Sequence, residues 1–231
     1  MRVLRTVGAA LLLTFVAAAS SVAQNLLVNP GFESGDLSGW VVTTTGTSTI
    51  QVGMAGTPIP GVDPVFGGGS SLVRSGTYAA SGAVASSLLP QGAMLFSQVL
   101  SLVPGATYDI GFYAANSSTL PNTIGIGVGK NPYLFEPGLS IFADGLQLLP
   151  FVENVAAPSG TWLPFQASFI ANSPTTTVTF KVTGSGWAYA PMSVDDFFVT
   201  AQTVTPEPAS LVLMATGLGV VLVGVKRRTR S

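Results

Sequence analysis

No cysteine and no histidine occur among the 231 residues, and only 8% of them carry charge. The first two absences exclude disulfides, Cys/His zinc sites, thiol nucleophiles and Ser-His-Asp triads. A domain built from this chain outside the cytoplasm rests on its core without cross-links. The scarce charge is also unevenly placed. Most basic residues sit at the two ends, Arg2 and Arg5 at one and Lys226, Arg227, Arg228 and Arg230 at the other, leaving Arg74, Lys130 and Lys181 between them. Against these three stand Glu33, Asp36, Asp63, Asp109, Glu136, Asp144, Glu153, Asp195 and Asp196, so the middle of the chain carries a net charge of −6. No basic patch is available there for phosphate backbones, which argues against nucleic acid as a partner. Convincing helical periodicity is missing outside the two ends.

What is present divides into three parts. Arg2 and Arg5, the apolar run Val7 to Ala19 and the small-x-small site Ser21-Val22-Ala23 read as a signal peptide over 1–23. Signal peptidase is expected to cut between Ala23 and Gln24. Near the other end, Pro206-Glu207-Pro208 is followed by the uncharged run Ala209 to Val225 and then by Lys226-Arg-Arg-Thr-Arg230. Seventeen helical residues at about 1.5 Å each span roughly 25 Å, enough for one short crossing of the inner membrane. The basic cluster holds its end in the cytoplasm, so both ends place the middle outside. The two prolines fix φ and keep the segment before the span extended.

This tail resembles the PEP-CTERM sorting signal, and the resemblance covers 204–231 as motif (206–208), helix (209–225) and basic tail (226–231). It implies export by a Gram-negative bacterium that makes exopolysaccharide. It also implies that an exosortase-type enzyme recognises Pro206, Glu207 and Pro208 and processes the chain near them.

The stretch 24–203 reads as strands. Val178, Phe180 and Val182 share one face of their segment. So do Tyr108, Ile110, Phe112 and Ala114; Phe96, Gln98, Leu100 and Leu102; Phe165, Ala167 and Phe169; and Ile124, Ile126 and Val128. Turn signals separate them at Gly67-Gly68-Gly69, Pro104-Gly105, Pro137-Gly138 and Pro158-Ser159-Gly160. Short strands punctuated in this way predict an all-β domain, a single β-sandwich. The order of features resembles the galactose-binding-like jelly roll of many carbohydrate-binding modules. Asn25-Leu-Leu-Val-Asn-Pro-Gly-Phe-Glu33 with Gly39-Trp40 matches its opening. Phe96-Ser-Gln98 through Pro104-Gly105-Ala-Thr-Tyr108 and Phe112-Tyr113-Ala114 matches its central hairpin, and Val194-Asp195-Asp196-Phe197 its closing strand. Lys130 to Val155 departs from the pattern.

The resemblance implies a structural calcium ion held by Glu33 and Asp195, since calcium takes hard oxygen ligands. Without it, Glu33 caps a turn and Asp195 is solvated. No other cofactor is implied. Aromatic faces stack on sugars, and Trp40, Trp162, Trp187, Tyr113 and Tyr189 are the candidates, although aromatics in a sandwich are more often core. The resemblance makes Trp40 a core residue. Trp187-Ala-Tyr189, flanked by Gly184, Gly186 and Pro191, is the loop candidate for ligand binding. Glycoside hydrolysis needs two opposed carboxylates, and no spacing among the nine acids singles out a pair. Gly125-Ile-Gly-Val-Gly-Lys130 lacks the Ser or Thr of a phosphate loop.

Taken together, the residues predict an exported, non-enzymatic cell-surface or exopolysaccharide-matrix protein with a carbohydrate-binding role, its partners being exosortase, signal peptidase, polysaccharide and the inner membrane. The alternative is a structural or adhesion protein without a specific glycan, permanently anchored in the membrane.

Overall fold

The computed structural model describes residues 23–46, 48–62, 68–84, 92–117, 138–152, 160–183 and 190–202. Among these residues ten strands form in chain order: β1 (Val41–Thr45), β2 (Thr49–Gly53), β3 (Ala79–Val84), β4 (Ala93–Ser101), β5 (Thr107–Asn116), β6 (Gly138–Ala143), β7 (Leu146–Val152), β8 (Trp162–Ile170), β9 (Thr175–Thr183) and β10 (Ala190–Ala201). They make two five-stranded sheets, β1-β4-β9-β6-β7 and β2-β3-β10-β5-β8. Every pairing is antiparallel. The signal peptide, the sorting motif, the apolar run 209–225 and the alternating Ile124 to Val128 lie outside the described residues. No described helix is long and apolar enough to cross a membrane.

Period-two alternation does what it predicts, because successive side chains on a strand point to opposite faces. Val178, Phe180 and Val182 of β9 and Tyr108, Ile110, Phe112 and Ala114 of β5 are all buried between the sheets. The centre of the core is aromatic. Phe197 sits 4.8 to 5.6 Å, centroid to centroid, from Phe180, Trp40, Phe112, Phe96 and Phe32. Trp40 is core, as the resemblance implies, and its indole Nε1 donates to the Asn29 carbonyl at 2.9 Å. Buried Gln98 serves as a substitute peptide: its Nε2 donates to Val28 O at 2.7 Å and its Oε1 accepts from Val28 N at 3.0 Å. This ties the opening segment to β4.

One hairpin was not expected. β6 and β7 are joined by Asp144-Gly145, with φ of 48° and 78°, between the paired Ala143 and Leu146. Positive φ at both central residues is the type I′ signature, which Asp-Gly favours. It falls within the stretch that departs from the jelly-roll pattern.

Candidate functional site

The β2-β3-β10-β5-β8 sheet turns one face to the core and the other outward. The alternation that buries Phe112 sends Asp109, Gly111, Tyr113 and Ala115 of β5 outward. Register sets Ser168, Gln166, Pro164 and Trp162 of β8 opposite them on one side. On the other side stand Thr200, Phe198, Asp195 and Ser193 of β10.

Half of this outer face is closed by the chain between β2 and β3. Leu72 N donates to Ser193 Oγ at 2.9 Å, and that hydroxyl also meets Ser81 Oγ at 2.8 Å and Ser117 Oγ at 2.5 Å. Arg74 N and Ser75 N donate to Asp195 Oδ2 at 2.9 and 3.3 Å. The β5 and β8 half stays open.

A β-bulge shapes the border between the halves. The register shifts between Asp195 and Phe198, one extra residue being held at Asp196 with φ of 49°. Such a residue resets which face its successors occupy. Asp195 therefore points outward beneath the 74–75 peptide, Phe197 turns into the core, and Phe198 points outward again. The Phe198 ring lies across Gly111: a Cβ there would stand 2.6 Å from Phe198 Cζ. Only glycine lets the ring lie flat on the sheet.

Trp162, Tyr113 and Phe198 are each part-exposed. They step diagonally over β8, β5 and β10, one strand and one row at a time, which separates neighbouring positions by roughly 7–8 Å. Below them Asp109, Gln166, Ser168, Phe198 and Thr200 line a cavity of about 390 Å³. Asp109 Oδ1 accepts from Ser168 Oγ at 2.6 Å and from Gln202 Nε2 at 2.7 Å. Above, the Arg74 guanidinium lies 3.4 Å from the Tyr113 ring centroid and pairs with the Asp196 carboxylate. Ser75 Oγ holds the other oxygen of Asp196 at 2.6 Å. A second cavity of about 480 Å³ opens between the edges of β7 and β8. It is larger, but Leu146, Leu148, Ile170 and Ala171 make its wall mainly aliphatic, and the ring that lines it, Phe169, is a buried core residue.

The two expected calcium ligands are brought to one loop. Glu33 receives Thr77 N at 2.9 Å on Oε2 and Tyr78 N at 3.2 Å on Oε1. Asp195 receives Arg74 N and Ser75 N on Oδ2 and Asp196 N, at 2.7 Å, on Oδ1. Burial pushes the Asp195 carboxyl up to about 6, with the Asp196 charge adding to the rise and peptide N–H groups opposing it. Calcium takes six to eight oxygens, whereas these carboxylates face N–H donors. Among the described residues no three or more acidic, His or Cys side chains are gathered to hold a metal. The arrangement is a peptide clamp on residues 74–78.

Of the expected sugar-stacking residues, Tyr113 and Trp162 share the open face, while Trp187 and Tyr189 lie outside the described residues. The sequence reading missed Phe198, Arg74 and Gln166. Gln166 was legible as the outward residue between Phe165 and Ala167. Phe198 depends on the bulge, and Arg74 on a long-range pairing that no local pattern announces.

No protein-family model and no curated protein matches the chain. Among solved structures it is similar to a cyclase from Fischerella sp. TAU, at 16% identity and a TM-score of 0.50 over 80% of this chain and 100% of that one. It is similar also to the arabinose-bound MgGH51 α-L-arabinofuranosidase, at 13% identity and 0.50 over 80% of this chain but 27% of that one. A third is TmCBM61 in complex with β-1,4-galactotriose, at 20% identity and 0.48 over 78% and 100%. At such identities the likeness shows the fold alone, an antiparallel two-sheet β-sandwich.

Proposed function

We propose that the domain is a non-catalytic carbohydrate-binding module that takes glycan on the open half of the β2-β3-β10-β5-β8 face. The observation that carries this reading is the diagonal of Trp162, Tyr113 and Phe198 above a polar cavity. Sugars present apolar CH faces and hydroxyl edges together, and aromatic surface beside placed donors and acceptors answers both. Trp187 and Tyr189 are proposed as further contacts.

Catalysis is disfavoured by spacing. Asp109 sits four residues along β5 from Tyr113, the partner of Asp195, so the two backbones are roughly 13 Å apart. Glycosidase carboxylates stand about 5–10 Å apart, and Asp195 is covered. For location, the signal peptide and the PEP-CTERM resemblance support export, membrane anchoring before processing at Pro206 to Pro208, and a place on the cell surface or in the exopolysaccharide matrix.

Retention by immobilised polysaccharides tests the binding. β-1,4-Galactan, the polymer of the TmCBM61 ligand, and arabinan are the first probes. Trp162→Ala and Phe198→Ala are each expected to weaken retention about tenfold or more, as truncation of a central aromatic does. A wild-type domain retained by no glycan would end the reading. For processing, intact mass from the native host is expected to show a chain starting at Gln24 and ending near Pro208. Calcium at Glu33 and Asp195 is a separate proposal: added Ca²⁺ raises Tm if loop carbonyls complete the shell, and an unchanged Tm leaves the peptide clamp alone.

A further inference from the structure

The open face carries a cation and an acid in unlike situations. Arg74 is one of two described cations, and its charge is already matched. The guanidinium is laid on the Tyr113 ring and paired with Asp196, whose other oxygen takes Ser75 Oγ. Among the described residues no cation is paired with Asp109. Its described partners, Ser168 Oγ and Gln202 Nε2, are neutral donors. The other described cation, Lys181, pairs with Leu95 and Ser140 in the opposite sheet. From this we infer that the face selects uncharged polysaccharides and rejects those built from uronic acids. The inference rests on the carbohydrate reading of this face and adds its ligand class.

Two consequences follow from the chemistry. A guanidinium has five N–H donors, and the ion pair to Asp196 employs only Nη1. The rest of its donor edge is held in place by the stack and the ion pair, ready for neutral hydroxyls. A uronate carboxylate drawn to Arg74 finds that charge already offset by Asp196, and one lying lower on the face meets Asp109. Like charges a few ångströms apart repel at a protein surface, the more so at low salt. A polyuronate also carries a charge on every repeat, so it cannot settle on the face without meeting one of the two.

The test compares neutral polysaccharides (β-1,4-galactan, arabinan, xylan) with polygalacturonate and alginate at low and moderate salt. The proteins are wild type, Asp196→Asn and Asp109→Asn. Asparagine tolerates the left-handed φ of position 196, and it keeps an acceptor for Ser168 at position 109; circular dichroism checks both folds. Wild type is expected to bind at least one neutral polymer and to bind polyuronates at least about tenfold more weakly. Each variant is expected to narrow that ratio several-fold, and the gain shrinks as salt rises. Polyuronate bound by wild type as tightly as the neutral polymer overturns the inference, as does a ratio that neither variant moves. Absence of binding to both classes is a different result and overturns the carbohydrate reading itself.

Discussion

Asp195 shows how much one side chain can organise. It is fully buried, and its two oxygens receive three peptide N–H groups, two of them from the loop that closes half the sheet face. Asparagine would keep one acceptor oxygen and turn its NH₂ toward N–H groups. Asp195→Asn is expected to cost about 1–3 kcal/mol, the range for orphaned buried donors, read as a lower midpoint in urea. Its pH dependence has a defined sign. The carboxyl binds its proton near 3.8 in the unfolded chain and near 6 in the fold. Between those values the folded state holds more proton, so this group's contribution to stability grows as pH falls from above 6 toward 4. Wild type should therefore gain on Asp195→Asn across that window; an opposite trend would contradict the assignment. Gly111 makes a second residue-scale case. An added Cβ would lie 2.5 Å from the Phe165 carbonyl and 2.6 Å from the Phe198 ring. Gly111→Ala is expected to lower Tm and, by tilting the ring off the sheet, to weaken glycan retention.

Strands were legible where one face meets the core and the other meets water. β4, β5, β8 and β9 follow from their alternation alone, and the outward residues Tyr113, Trp162 and Gln166 follow with them. β3 and the Pro191–Asp195 part of β10 were harder because both faces are covered: Ala79–Val84 is buried throughout, and a small-residue run closed on both sides shows no period. The bulge at Asp196 is harder still. It moves Phe198 to the open face through one extra residue, and nothing in Asp195-Asp196-Phe197-Phe198 marks which residue is extra. The β6-β7 hairpin carried a local signal in Asp144-Gly145, obscured by surroundings that depart from the jelly-roll pattern. Gly145 has φ of 78° and open space about it, so Gly145→Ala strains only the turn. A loss of about 1 kcal/mol is expected, with glycan affinity unchanged because the hairpin belongs to the other sheet.

At the scale of the whole molecule, the two sheets divide the work. One has an outer surface rich in threonine and serine, with Lys181 as its described cation; the other carries the aromatic diagonal and the matched and unmatched charges. Net negative charge over the middle of the chain also keeps copies apart in solution. The course of the chain ends has a further consequence. Asn25 bridges Thr200, Leu26 N donates to Val199 O at 2.8 Å, and Gln202 N donates to Thr107 O at 2.9 Å. Incoming and outgoing segments thus lie side by side, antiparallel, and leave from the same pole. Tension applied between the two ends would open these bonds one after another, as a zipper opens, instead of shearing them together. In single-molecule pulling, the domain held by both ends should yield at low force.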